Sequence, residues 1–418
     1  MTQADLHEEL EAVTAELIEV QDQLLAMYDV ARVMRGHREP EPLLAALVAE
    51  AVRLVRADGA FAVLPRAGHD PLVVLSPGFP IEPATAARLV EELASEPEAV
   101  RQQVSAAGRA LLVPVALLDR RSAILGMVRT AGTRFDLPEE KLAAAVAAHA
   151  GAQLESVLAH QEELSRTRLE LEFELARSVQ VGLMPPQPVG YRGLDVLAEA
   201  RPASMVGGDF FDFVARDDGA LFCVLGDVAG HGIPAAMLVA MTRAAVRSAA
   251  RGGDDSSPSA VLQRANGELF HDFSQLGLFA TLFVTRVDPH GGRLAMANAG
   301  HSPVIYRPAG GEAHMLRAQS PPLGVLEHWR GTDTELPLGP EDLLVAATDG
   351  FSEAEDASTG ELFGYDRLIG LADLAAGRRS AEVAASFFDA TNRFSAGMEA
   401  GAGDDRTVLV VRGVPSGA

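Results

Sequence analysis

The sequence predicts an α+β chain in four parts: a coiled-coil helix over residues 1–35, a mixed helix-and-strand module over 36–158, a linker helix over 159–184, and a layered sandwich of strands with helices on its faces over 185–413. Three observations predict it. An unbroken heptad stripe opens the chain, short apolar runs alternate with segments of helical period in both larger parts, and Pro and Gly mark the junctions. A length of 418 residues allows two or three domains with full-sized cores.

Leu6, Leu10, Val13, Leu17, Val20, Leu24, Met27, Ala31 and Met34 recur at alternating spacings of four and three, and no Pro or Gly interrupts before Gly36. Glu, Gln and Asp crowd the positions between them, so the stripe reads as a seam for a second helix. A parallel homodimer through this helix is the expectation, although a helix packed on its own domain shows a similar stripe.

In the second part, Pro42–Arg56 has helical period, Gly59–Leu64, Pro71–Leu75, Ala110–Val115 and Ile124–Arg129 read as strands, and Pro138–Leu158 is a helix with Pro-Glu-Glu as its first turn. Without a catalytic cluster, this part describes a ligand-binding or dimerising module. The last helix runs on through 155–184, where Leu154, Val157, Gln161, Leu164, Arg168, Leu171 and Leu175 share one stripe. Polar Gln161 and Arg168 interrupt the seam, which suits a helix that shifts register or a rigid spacer equally well. Pro185-Pro186 ends it.

Beyond the prolines, strands are expected at Leu194–Ala200, Met205–Ala215, Leu221–Asp227, Phe279–Val287, Leu294–Asn298, Val304–Arg307, Leu343–Ala347 and Thr407–Arg412. Helices are expected at Pro234–Ala250, Pro258–Phe273, Tyr365–Ala375 and Ala381–Ser395.

A formal charge of −23 argues against nucleic acid as a partner and against docking on anionic lipid. The single lysine, Lys141, follows no glycine-rich turn, which excludes a P-loop and a kinase built on a strand lysine. The single cysteine, Cys223, excludes a disulfide framework and a cysteine zinc cluster, and no arginine stands six residues beyond it as a cysteine-nucleophile phosphatase requires. No apolar run approaches the ~20 residues that span a bilayer, and the acidic start is unlike a signal peptide, so a cytoplasmic chain without membrane insertion is expected.

The chemistry centres on Val206–His231. Two apolar runs flank Asp217-Asp218-Gly219, and a three-residue loop centred on 218 pairs Arg216 with Ala220. Continued outward, that register sets Asp209 opposite Asp227, with Gly207 and Gly208 as a place for a bulge. Two carboxylates that close repel unless one is protonated or a cation lies between them. Asp349 follows the buried run Leu343–Ala347, and Asp404 and Asp405 precede the run Thr407–Val411. Singly, each is an ordinary turn aspartate or cap; together they form a carboxylate set at strand ends, which selects Mg²⁺ or Mn²⁺ over zinc. Two such ions can hold a water nucleophile and clamp a phosphoryl oxygen. His231 and His301 are read as braces of their turns, with a part in the site as the alternative.

Two resemblances follow from these motifs. Leu111–Glu155, with its VPV and ILGMV strands and Phe135 before the terminal helix, resembles the second half of a GAF domain, an α/β sensor module. VGGDFFD, GDVAGHGIPAAM, NAGH, TDGFSEA and GDDRT stand in the order of the SpoIIE/RsbU-type branch of the PPM (PP2C-like) metal-dependent serine/threonine phosphatases, over about 176–412. That resemblance implies an α-β-β-α sandwich and two or more Mn²⁺ or Mg²⁺ ions. It implies Asp209, Asp227, Asp349 and Asp404 as metal carboxylates, the first three catalytic, with the Val228 carbonyl as a backbone ligand. Asp405 would join them as a ligand or stand just behind. The implied substrate is a phosphorylated anti-sigma-factor antagonist (a STAS protein) in sigma-factor signalling, with 172–183 as a switch helix under control of the GAF-like part. A catalytically silent dimeric scaffold of the same fold is the alternative.

Overall fold

The computed structural model describes residues 3–415 apart from 67, 80–85, 87–99, 106–107, 119–121, 190, 192, 204–205, 231, 253–255, 289–291 and 397–402. His231 therefore lies outside the described residues, as do the side chains of Leu6 and Val20. The chain forms two compact units, Met1–Arg168 and Leu169–Ala418.

The first unit holds α1 (Gln3–Met34), α2 (Pro40–Leu54), β1 (Gly59–Arg66), β2 (His69–Leu75), β3 (Arg101–Ser105), β4 (Gly108–Ala116), β5 (Ser122–Arg129) and the first part of α3 (Leu137–Leu183). The strands form an antiparallel sheet in the order β2-β1-β5-β4-β3. Successive side chains point to opposite faces of a strand. Ala62, Leu64, Leu111, Val113, Leu125 and Met127 accordingly meet Leu43, Leu44 and Leu47 of α2 and Val146, Ala150 and Leu154 of α3 on one face. Phe61, Val63, Leu112 and Ile124 pack on the other. Val30 and Met34, at the end of α1, are buried in the first of these cores, whereas Leu10, Val13, Leu17 and Leu24 are exposed. The seam thus divides, its last turn internal and its earlier turns facing outward.

One helix corrects the sequence reading of apolar runs. Within α3 lies one stretch long and apolar enough, by length and composition alone, to cross a bilayer. Much of that apolarity comes from alanine, and Ala143, Val146, Ala147, Ala150, Leu154 and Val157 are buried in the first unit's core, as in a core helix of the same composition.

The second unit continues from the rest of α3 through β6 (Leu194–Arg201), β7 (Asp209–Ala215), β8 (Leu221–Val228), α4 (Gly232–Arg251), α5 (Pro258–Leu276), β9 (Ala280–Val287), β10 (Gly292–Ala299), β11 (Val304–Arg307), β12 (His314–Met315), β13 (Thr334–Leu338), β14 (Leu343–Ala347), α6 (Asp349–Ser352), α7 (Gly364–Asp373), α8 (Ser380–Phe394) and β15 (Arg406–Gly413). Two antiparallel sheets result, ordered β13-β10-β9-β8-β7 and β12-β11-β14-β15-β6. Their inner faces meet through Phe211, Cys223, Leu225 and Phe283 of one and Val304, Leu344, Leu409 and Val411 of the other. Phe210, Phe222 and Val224 turn outward under α4 and α5, and Ile305, Val345 and Val410 turn outward under α7 and α8. The expected layered sandwich is therefore an α-β-β-α arrangement, in which each fully buried Leu or Phe contributes about 1.5–3 kcal/mol. Helix α5 shows how local sequence sets an element. Ser257 caps it by accepting from the Ala260 N–H at 3.3 Å, Pro258 opens it, and Gly277 closes it at φ 66°.

Candidate metal centre

The β7–β8 hairpin follows the symmetric register. The Arg216 N–H bonds the Ala220 carbonyl at 3.0 Å, Gly219 takes φ 86°, and Asp209 pairs with Asp227 with no bulge along the ladder. The strand begins at Asp209, later than the expected Met205, because the glycines before it bond elsewhere. Gly207 pairs with the Gln180 side chain and the Gly208 N–H donates to Asp405 at 3.0 Å.

Asp209 is 7% exposed and lies at the end of the core between the sheets. Its Oδ2 accepts the Thr348 hydroxyl at 2.7 Å. Burial, and then the Asp227 charge, hold its carboxyl well above the usual carboxylate range. Burial first, then Asp349, Asp404 and Asp405, push Asp227 up to about 7. Asp349 opens α6 directly after β14, and burial followed by Asp404 and Glu353 raises it to about 6. Carboxylates from four separate points of the chain thus oppose one another's ionisation.

Oxygen atoms surround one small space at the rim. A Cβ on Gly208 would meet the Val228 carbonyl oxygen at 2.5 Å, Asp227 Oδ1 at 3.2 Å and the Gly230 carbonyl oxygen at 3.5 Å. Glycine leaves that space open to hard oxygen donors. A cation fits this donor set, with the Val228 carbonyl beside Asp227 as the motif implied. Among the described residues, no three His, Cys, Asp or Glu side chains are grouped closely enough to hold an ion by themselves. The fit is therefore to an ion that takes one or two carboxylates, backbone oxygen and water, as Mg²⁺ does.

The neighbours Asp404 and Asp405 differ. Asp404 is exposed, with Oδ1 accepting the Asp405 N–H at 2.8 Å. Asp405 is buried and points back into the protein, its Oδ1 accepting from the Ala203 N–H at 2.9 Å and its Oδ2 from the Gly208 N–H. It braces the glycine segment. A Cβ on Gly350 would lie 2.0 Å from the Asp405 carbonyl oxygen, so the chain beside Asp349 has no room for a side chain.

Three contributors escaped the sequence reading. Thr348 precedes Asp349 in the same motif, and its hydroxyl also accepts from the Thr407 N–H at 2.9 Å. Glu353, four residues after Asp349, acts on both Asp227 and Asp349 by its charge; its place in TDGFSEA was the available signal. Gln180, in the linker helix, is the third. His301 is 2% exposed, with Nδ1 3.0 Å from the Thr281 hydroxyl and its backbone N–H and carbonyl both held by Asn298. Burial pushes it down to about 4, which keeps the ring neutral, in keeping with a brace.

Residues 217–413 match the family model described as Stage II sporulation protein E (SpoIIE). Asp227, Asp349, Asp404 and Asp405 fall within the match, and Asp209 precedes it. The chain is 28% identical over 241 residues to Protein IcfG of Synechocystis, covering 52% of this chain and 38% of that protein. It is 27% identical over 201 residues to the phosphoserine phosphatase RsbU of Bacillus subtilis, covering 47% and 59%. The chain thus spans less than two thirds of either curated relative. The SiaA-PP2C domain of Pseudomonas aeruginosa superposes with a TM-score of 0.53 at 23% identity, over 59% of this chain and 98% of that one. At that identity the likeness speaks for the fold.

Proposed function

Because its C-terminal domain belongs to the SpoIIE-type branch of the PPM phosphatases, we propose that this chain is a Mn²⁺- or Mg²⁺-dependent protein serine/threonine phosphatase. The observation that carries the reading is the oxygen-lined space before Gly208, set among carboxylates that resist ionisation together. Asp209, Asp227, Asp349, Asp404 and the Val228 carbonyl would hold the ions, Asp209 from the buried side, with Asp405 as a further ligand or just behind them. Bound there, divalent ions supply an ionised water as nucleophile and draw charge from a phosphoryl oxygen. The protein's own contribution is orientation. Thr348 fixes one rotamer of Asp209, the ladder sets Asp209 against Asp227, and Asp405 holds the glycine segment so that the space stays open.

The proposed substrate is a phosphoserine or phosphothreonine on a small STAS protein that antagonises an anti-sigma factor. Its recognition rests on local contacts, because a chain of charge −23 does not attract an acidic phosphoprotein from a distance. Residues 1–35 would pair two chains, 36–158 would sense a small-molecule or protein signal as a GAF-like domain, and 159–184 would pass it to the phosphatase domain over 185–413, in the cytoplasm. The exposed leucines of α1 support the pairing.

The test is Mn²⁺-dependent phosphate release from p-nitrophenyl phosphate and from a phosphorylated STAS protein, by wild type and Asp349→Ala. Activity in wild type that is lost in the variant is expected. Activity surviving the substitution refutes the metal assignment, and none in either protein favours the silent scaffold.

A further inference from the structure

A chain of charge −23 sets two arginines face to face beside its metal centre. Strand β15 begins at Arg406, two residues after Asp404, and strand β6 ends at Arg201. The ladder between the strands places these two opposite each other. Cβ atoms of directly opposed residues lie about 5 Å apart, and like charges there weaken a sheet. Alternation along β15 puts Arg406 on the outward face with Val408 and Val410, against α8.

The two are not equally provided for. Arg201 lays its guanidinium over the Phe388 ring at 3.9 Å and donates from Nε to Glu199 at 2.8 Å, so its charge is met. Arg406 is half-buried, and its Nη1 donates to the Thr391 hydroxyl at 3.2 Å and to the Asn392 amide oxygen at 2.8 Å. Both of those acceptors are neutral, whereas the group facing it across the ladder is a second cation. Taking a guanidinium out of water without a counter-charge is costly. Its Nη2 lies beside Gly403, the residue before Asp404: a Cβ there would stand 3.7 Å away. Asp404 itself is exposed, and two residues of chain span at most about 7 Å. A phosphoserine seated at the ions therefore brings its neighbouring residues up to Arg406.

We propose that Arg406, with Arg201 opposite, is a specificity site for an acidic side chain that flanks the phosphorylated residue of the substrate. The Nε and Nη2 edge of Arg406 matches a carboxylate through two parallel N–H···O bonds, and Arg201 adds charge from the facing strand. A carboxylate seated there also offsets the repulsion between the two arginines, so the pair favours a negative flank over a neutral one. The proposal rests on the phosphatase reading of the metal centre and deepens it. It names a short-range contact by which a negatively charged chain takes an acidic segment that it does not attract from a distance.

The experiment gives the full chain, with Mn²⁺, two phosphoserine peptides that differ only beside the phosphoserine: glutamate on both sides in one, glutamine in the other. The quantity read is the ratio of their kcat/KM values, in which any grip on the shared phosphoryl group cancels. Wild type should favour the glutamate peptide about tenfold, through KM, and the preference should fall as salt is raised. Arg406→Gln should bring the ratio to about one. A ratio near one in wild type, or one that Arg406→Gln leaves unchanged, overturns the proposal. A variant that slows both peptides equally is such a case, because Arg406 then acts on the phosphoryl group or on the fold. Should Arg406→Gln fail to fold, Arg201→Gln, at an exposed side chain, decides by the same ratio. Release from p-nitrophenyl phosphate but from neither peptide overturns this proposal alone. No release from any of the three overturns the phosphatase reading and this proposal with it.

Discussion

Thr348 donates its hydroxyl to Asp209 across the two facing sheets, linking residues 139 apart in the chain. The bond satisfies a carboxylate that has little access to water. Thr348→Val, which keeps the shape and removes the donor, should destabilise the second unit by about 1–3 kcal/mol, read by urea unfolding of metal-free protein. Thr348→Ser keeps the hydroxyl and should lie close to wild type.

Protons and cations compete for the same carboxylates. The native pKa values of Asp227 and Asp349, about 7 and about 6, lie above those of the unfolded chain. The native state therefore retains protons that the unfolded state has released, and these two groups make the metal-free protein less stable as pH rises from about 4 to 7. A bound ion requires the deprotonated forms, so the rise in Tm on adding Mn²⁺ should be larger at pH 8 than at pH 6. In Asp227→Asn that difference should shrink. Equal rises at both pH values would show that protons do not compete at this site.

Asp212 shares a motif with Asp209, yet an odd spacing along a strand turns it to the other face. There Arg247 grips it with bonds of 2.7 and 2.8 Å, and Arg243 approaches at 3.3 Å. Asp212→Ala leaves two guanidinium groups without their partner and should cost about 3 kcal/mol. Differential scanning calorimetry should show a lower Tm, while Mn²⁺ affinity of the folded protein stays unchanged.

The exposed half of the α1 seam sets a test of assembly. Leu17→Glu places a charge where Leu10, Val13, Leu17 and Leu24 present their apolar surface. A dimeric wild type should become monomeric in sedimentation equilibrium, with its secondary structure retained. Deleting residues 1–160 should change turnover of the phosphoprotein by at least several-fold; an unchanged rate would sink control by the N-terminal part.

The hairpin was legible because its information is local: a turn rich in Asp and Gly, a period of two, and nine residues on each arm. The layered sandwich was legible for the same reason, since its inner strands are short apolar runs. Strands β3, β12 and β13 were not, being polar, only two residues long or interrupted by proline, as RQQVS, HM and TELPL show. The resemblance set Asp404 ahead of Asp405, but the sequence could not say what Asp405 does instead. That depends on the N–H groups of Ala203 and Gly208, which lie 202 and 197 residues away. Thr348 and Gln180 escaped notice likewise, because a hydroxyl or amide reveals its role only through a partner brought up by the fold.

Cys223 sits fully buried in the inter-sheet core, where burial raises its thiol far above the ordinary range and leaves it chemically inert. As the sole cysteine in the chain, it makes the natural sequence a ready host for site-specific spectroscopy. A thiol introduced at an exposed position, as in Val181→Cys, would be the single group to take a maleimide dye or nitroxide. The motion of the linker helix could then be followed against its own fixed background, with the native core left intact.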